Sequence, residues 1–263
     1  LPVTDDLTLL IDAAQAAGKI ASGFFHGSAE RWDKPGGQGP VTEADLAVDR
    51  MLRNELTAAR PGYGWLSEET EDTPARLEAE QVFIVDPIDG TRSFIEGSTT
   101  WAHSLAIARD GIVEAAVVYL PERGKLYAAA RGQGATLNDT ALTVSPKTGI
   151  DGATVLASKP NFNPSFWRNR DVPPVERAFR SSLAYRLSLV GEGRFDAMIT
   201  LRPTWEWDVA AGALIVEEAG GSVTDQAKGF ARFNNPHPQL HGMVAGTPPV
   251  HDALITRLAE PLA

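Results

Sequence analysis

Four short stretches concentrate carboxylates where structural elements begin or end. They are VTEAD with Asp45, LSEET with Glu68 and Glu69, DPIDGT with Asp86 and Asp89, and EWD with Glu206 and Asp208. Each has a plain structural reading. Asp45 can face the dipole of a helix N-terminus, and Asp208 can cap a helix. Asp86-Pro87 suits the first two positions of a type I turn. Glu68 and Glu69 can be solvated surface charge. Jointly they point elsewhere. The apolar run Val82–Val85 leads directly into Asp86 and Asp89. That places both at the carboxyl end of a buried strand, where ligand sites of α/β sheets lie. Neighbouring carboxylates raise each other's pKa unless a cation lies between them. Oxygen donors without Cys or His select Mg²⁺, Mn²⁺ or Ca²⁺ over zinc. The sequence holds no EF-hand loop, which argues against calcium sensing.

Gly90 and Thr91 add a second property. A glycine at the start of a short helix (TRSFIEG) offers backbone N–H groups to an anion, and the threonine hydroxyl can orient a water. Metal ligands beside such an N-terminus describe a phosphate site. The glycine patterns of nucleotide-binding loops are absent. GQGATLN, after Arg131, reads as a turn, and the segment KPGGQGPV as a loop.

The elements that must position these residues follow from periodicity. Leu7–Phe25 carries apolar residues at helical spacing. A second helix opens at Thr42 with Asp45 three residues on, a capping-box pattern, and stops at Pro61-Gly62. Strands are expected at Val82–Val85, Ser104–Ala108, Gly111–Tyr119, Lys125–Ala130, Thr154–Ala157, Phe195–Thr200 and Met243–Ala245. Helices are expected near Ser182–Gly191, Asp208–Ala219 and Pro249–Leu258. Mixed elements throughout predict an α+β layered sandwich. The turn-rich stretch Val144–Gly152 suggests two halves: 1–147 with most metal ligands, and 148–263 with the last aspartate and substrate contacts.

Composition narrows the function. The 263 residues carry a formal net charge of −10, which disfavours nucleic-acid binding. An anionic substrate then needs locally held cations. No cysteine is present, so disulfides, thiolate metal sites and a cysteine nucleophile are excluded. A cytoplasmic location is expected, since no run is long and apolar enough for a membrane span and no basic-then-apolar signal segment opens the sequence.

VTEAD, SEET, DPIDGT and WDVAAG…EEAGG, in this order between Lys34 and Gly221, resemble the motifs of the inositol monophosphatase superfamily of lithium-sensitive, metal-dependent phosphatases. The resemblance implies an αβαβα sandwich of the inositol monophosphatase / fructose-1,6-bisphosphatase type. It implies one Mg²⁺ on Glu68, Asp86 and the Ile88 carbonyl, and a second on Asp86, Asp89 and Asp208. A looser third ion would use Glu68 through water, helped by Lys34, and Mn²⁺ is a possible substitute. Asp45 and Thr91 would position the attacking water, and Gly90 and Thr91 N–H groups the phosphate. Many relatives are homodimers and some are monomers.

The implied substrate is a small phosphorylated metabolite. PTWEWD and SSLAYRLSLVGEGRFDA are similar to the bacterial 3′(2′),5′-bisphosphate nucleotidases. This slightly favours 3′-phosphoadenosine 5′-phosphate over inositol monophosphate, with Arg186 or Arg202 meeting a second phosphate by bidentate hydrogen bonds. The plain alternative for Arg186 is a salt bridge. Leu201 aligns with the glutamate that contacts the inositol ring in relatives. The compact Arg92–Trp101 segment lacks the insert of a full nucleotidase match, and Trp207 disfavours a histidinol-phosphate phosphatase. Alternatives are a histidinol-phosphate or fructose-1,6-bisphosphate phosphatase, or a non-catalytic relative that binds a sugar phosphate or a protein. A relative of the last kind would be free to lose metal ligands, and here the set is complete.

Overall fold

The structure, a computed structural model, describes residues 3–27, 29–34 and 39–259. The chain opens with helix α1 (Val3–Phe25), a small hairpin of β1 (Arg31–Asp33) and β2 (Pro40–Thr42), and helix α2 (Glu43–Ala59). Strands β3 (Gly64–Ser67) and β4 (Gln81–Asp89) follow, then the one-turn helix α3 (Thr91–Ile95). A meander comes next: β5 (Ala102–Arg109), β6 (Ile112–Leu120), β7 (Lys125–Ala130), β8 (Ala135–Leu137) and β9 (Thr140–Ala141). The second half holds β10 (Thr154–Ala157), β11 (Glu176–Ala178), α4 (Leu183–Gly191), β12 (Ala197–Thr200) and β13 (Thr204–Trp205). It ends with α5 (Glu206–Glu218), β14 (Ser222–Thr224), β15 (Gln239–Leu240), β16 (Met243–Gly246) and α6 (Pro248–Arg257).

Strands β3 to β9 form a seven-stranded sheet in sequence order, parallel only between β3 and β4. A five-stranded sheet runs β11-β10-β12-β16-β14. Alternation of side chains across the first sheet sorts its residues into two cores. Phe83 and Val85 of β4 face α1 and α2, meeting Leu10, Ala14, Val48 and Leu52. Val82 and Ile84 face the other way, into a core shared with Leu187 of α4, Leu214 of α5 and Met198 of the second sheet. A third core lies beyond that sheet, where Val155, Ile199 and Val244 pack on Val250 and Leu254 of α6. The layers therefore run αβαβα, as the motifs implied.

Three local readings change. Strand β4 does not stop at Val85. It continues to Asp89, with a register shift against β5 between Asp86 and Asp89. The bulge replaces the expected type I turn, and the Asp86 side chain accepts from Ile88 N at 3.0 Å to hold it. Asp208 does not cap a helix: α5 begins at Glu206 after Trp205, so Asp208 lies inside the first turn. Glu69 is not solvated, because its side chain is only 4% exposed. Of the loop KPGGQGPV, residues 35–38 lie outside the described residues.

Candidate active site

The end of β4 and the start of α5 bring their carboxylates to one place. Asp86 and Asp89 sit at the end of β4, and Asp208 sits on the first turn of α5. One carboxylate oxygen from each lies within 4.8 Å of the others. They open on a cleft of about 740 Å³ that Lys34, Glu68, Ile88, Gly90 and Thr91 also line. No described helix is long and apolar enough to cross a membrane.

Burial is the main force on these groups. It drives the Asp86 carboxyl well above its ordinary range, with Glu68, Asp89, Asp208 and Glu69 adding repulsion. Asp208 is raised well above that range too, by burial and then by Asp89 and Glu68. Asp89 is raised by burial to about 6, although Ser182 and Ala184 oppose the shift. Those two partners are the α4 N-cap hydroxyl, donating to Asp89 at 2.6 Å, and the Ala184 N–H at 2.7 Å. A dense set of buried carboxylates with oxygen donors only fits a hard divalent cation, which would remove the repulsion.

Lys34 is placed between two glutamates. Its Nζ donates to Glu68 at 2.8 Å and to Glu69 at 2.6 Å. Burial works against the ammonium, but Glu68 and Glu69 outweigh it and raise its pKa. Burial and then Glu68 push the Glu69 carboxyl up to about 7.

Asp45 caps α2 and also faces Thr91. One oxygen closes the capping box, accepting from Thr42 N at 2.8 Å and Thr42 Oγ1 at 2.5 Å. The other faces the Thr91 hydroxyl at 3.2 Å. That hydroxyl also lies 3.1 Å from the Ile88 carbonyl oxygen. Burial raises Asp45 to about 6 against the pull of the Thr42 hydrogen bonds. Asp45 does not line the cleft and reaches it through Thr91. Gly90 turns the chain from β4 into α3 with φ of 99°, a left-handed value suited to glycine. The N–H groups that open α3 have no intrahelical acceptor.

On the opposite wall the arginines divide. Arg202 lines the cleft with Phe179 and Ser181. Arg186 does not: its Nε donates to the Arg180 carbonyl, its Nη2 to the Ser181 carbonyl at 3.3 Å, and its plane lies 4.4 Å from the Phe179 ring centroid. Among the described residues it makes no salt bridge, the plain alternative, and it is not part of the lining of this cleft. Burial lowers its pKa to about 10 although Asp89 pulls it up. Leu201 turns into the outer core. The loop GQGATLN is occupied by structure: Gly132 and Gly134 N–H groups each donate to Glu218 at 2.8 Å.

Two supports escaped the motifs. Ser182 could have been found, since it begins a helix as a serine N-cap. His103 could not, because nothing local marks it. It is fully buried on β5, and its Nδ1 meets the Pro87 carbonyl at 2.5 Å, holding the bulge that presents Ile88. Burial lowers its pKa to about 4, so the ring is neutral and Nδ1 is the donor.

Comparison with known proteins agrees with the motifs. The profile of the inositol monophosphatase family matches residues 4–262. An inositol-1-monophosphatase of Mesorhizobium japonicum is 32% identical over 98% of this chain and 97% of its own. The Nus factor SuhB of Escherichia coli is also 32% identical, over the same shares of the two chains. The crystal structure of the extragenic suppressor protein suhB from Bartonella henselae superposes with a TM-score of 0.82, at 29% identity over 96% of this chain and 97% of that one.

Proposed function

The chain belongs to the inositol monophosphatase family, and from that premise we propose that it is a Mg²⁺-dependent phosphomonoesterase acting on a small phosphorylated metabolite. The observation that carries this is the convergence of Asp86, Asp89 and Asp208 beside Thr91 and the start of α3. Glu68, Asp86, Asp89, Asp208 and the Ile88 carbonyl would hold two to three ions. Bound Mg²⁺ supplies charge neutralisation at the phosphate and the leaving oxygen, and lowers the pKa of a water.

The protein's own groups position the reactants. The opening N–H groups of α3 at Gly90 and Thr91 meet phosphate oxygens. Asp45 accepts a hydrogen bond from the Thr91 hydroxyl, which leaves the Thr91 oxygen to accept from the attacking water. As the water's proton moves to the Thr91 oxygen, the Thr91 hydroxyl proton moves to Asp45, whose carboxyl burial holds above the ordinary range. The P–O bond to water forms as the ester P–O bond breaks, and the leaving alkoxide takes a proton from solvent. Holding water and ester in line supplies much of the acceleration such reactions need.

For the ester, the favoured substrate is 3′-phosphoadenosine 5′-phosphate, with inositol monophosphate next. Arg202 supports this order. Its guanidinium has no ion-pair partner among the described residues and lies on the cleft wall near Asp208. A second phosphate would give it one. The test is phosphate release from 3′-phosphoadenosine 5′-phosphate, inositol 1-phosphate, fructose 1,6-bisphosphate and histidinol phosphate, each with Mg²⁺ and with EDTA. Release in Mg²⁺ that EDTA abolishes is expected, and equal rates in both would refute the proposal. The likeness to Nus factors favours a second reading, a protein-binding role alongside catalysis.

A further inference from the structure

Glu206 is a fully buried carboxylate that does not line the metal cleft. It lies two residues before Asp208. Its oxygens accept from Asn234 N at 2.5 Å, from Asn235 N at 2.9 Å and from Asn235 Nδ2 at 2.7 Å. Its own N–H donates to the Pro238 carbonyl at 3.0 Å. The segment from Asn234 to Pro238 is thus bound around the first turn of α5.

Arg76 grips the same segment from the other side. It is 2% exposed. Its Nη1 donates to Asn234 Oδ1 at 2.5 Å and its Nη2 to the Asn235 carbonyl at 2.9 Å. Its Nε and Nη2 also hold Asp72 at 2.6 and 2.9 Å. Asn234 is kept at φ of 60° between these partners, a left-handed value that asparagine tolerates. Arg76 belongs to the 3-10 turn Pro74–Glu78, which packs on β3 so closely that a Cβ on Gly64 would lie 3.0 Å from Arg76 Cα. Strand β3 ends at Ser67, next to Glu68.

A chain of contacts therefore runs from Gly64, at the start of the strand that leads to Glu68, to the helix that presents Asp208, and Glu68 and Asp208 are 140 positions apart in sequence. A buried arginine fork and a buried carboxylate are costly to desolvate, so stability alone is a weak reason for them. We propose that Arg76 and Glu206, acting through Asn234 and Asn235, are positioning residues that set the spacing of Glu68 and Asp208 for divalent-metal binding. The proposal rests on the metal-site reading above and extends it to groups that touch neither metal nor substrate.

The test uses Glu206→Gln, Arg76→Lys, their double variant and the milder Asn235→Ala. Each is measured for the Mg²⁺ concentration at half-maximal turnover, for substrate KM at saturating Mg²⁺, and for Mg²⁺ binding by calorimetry. The half-saturating Mg²⁺ should rise about tenfold in each charged-group variant, in line with other supports of metal ligands. Substrate KM at saturating Mg²⁺ should stay near wild type. The double variant should be less than additive, since both act on one segment. Folded variants with wild-type Mg²⁺ dependence would overturn the proposal. Should the charged-group variants fail to fold, Asn235→Ala decides, with a rise of about twofold to threefold expected. A wild type that binds Mg²⁺ without phosphatase activity would refute the enzyme reading, and the calorimetric shift in the variants would then judge the chain of contacts. A wild type without Mg²⁺ binding would refute both.

Discussion

Glu206 and Asp86 are both buried carboxylates, but their surroundings differ in kind. Burial raises both carboxyls. At Glu206, N–H groups of Asn234 and Asn235 and the charge of Arg76 oppose that shift. At Asp86, four further carboxylates add to it. Asp196 resembles Glu206, accepting from Ser145 Oγ, Thr154 N and Thr154 Oγ1. The contrast separates a carboxylate whose charge is met by the fold's own N–H groups and Arg76 from one surrounded by other carboxylates.

Substitution by the isosteric amide should therefore act in opposite directions. Asp86→Asn should reduce turnover on the order of 10³-fold, as expected when a metal ligand that stabilises transition-state charge is lost. It should also raise the thermal midpoint of the metal-free protein, because it removes a repelled charge. Glu206→Gln should lower that midpoint, since an NH₂ group would then face N–H donors, at a cost of about 1–3 kcal/mol. Thermal unfolding in EDTA reads both signs, and two shifts in the same direction would break the comparison.

Thr91→Ala should lower kcat by about 100-fold with little change in KM, if Thr91 aligns the attacking water rather than binding the ester. Steady-state kinetics at saturating Mg²⁺ checks this.

The pH dependence of the metal-free protein sums the raised carboxyls of Asp45, Asp89 and Glu69 against His103, whose lowered pKa acts in the opposite sense, and Asp45 illustrates the sign. Its folded pKa of about 6 exceeds the ordinary 3.8. The folded state therefore binds the proton more tightly than the unfolded chain. The resulting stability is full below 3.8 and is lost as pH rises through about 6, amounting to about 3 kcal/mol. Metal binding needs the neighbouring ligands deprotonated. Without metal, the thermal midpoint should fall from about pH 5 to about pH 7.5, and the gain on adding Mg²⁺ should be larger at the higher pH.

The smallest effect is the most selective. Arg202→Gln should reduce kcat/KM for 3′-phosphoadenosine 5′-phosphate about tenfold, the worth of one charged hydrogen bond, and leave inositol 1-phosphate nearly unchanged. Equal losses on both substrates would remove Arg202 from the recognition of a second phosphate.

The long elements were legible because they carry period. The α1 stripe of Leu10, Ala14, Ala17 and Ala21 and the Thr42–Asp45 capping box are both present. The short strands β8, β11 and β13 are two or three residues long, too short to show a period. The convergence of Asp86, Asp89 and Asp208 followed from four motifs taken together. The supports were harder to read. His103 reaches the Pro87 carbonyl, and Arg76 reaches Asn234, across distances that only the folded chain closes. Arg186 shows the limit most clearly: an arginine in a suggestive motif turns Nε and Nη2 to backbone carbonyls, and Arg202, just after β12, lines the cleft.

The central claim is that the carboxylates at the end of β4 and the start of α5 hold catalytic divalent metal. Phosphate release as a function of Mg²⁺, from EDTA-treated wild type and from Asp89→Asn in the same assay, tests it most directly. The account predicts saturable restoration of wild-type turnover by Mg²⁺ and no restoration in the folded variant. Metal-independent turnover by the wild type, or full restoration of Asp89→Asn, would contradict it.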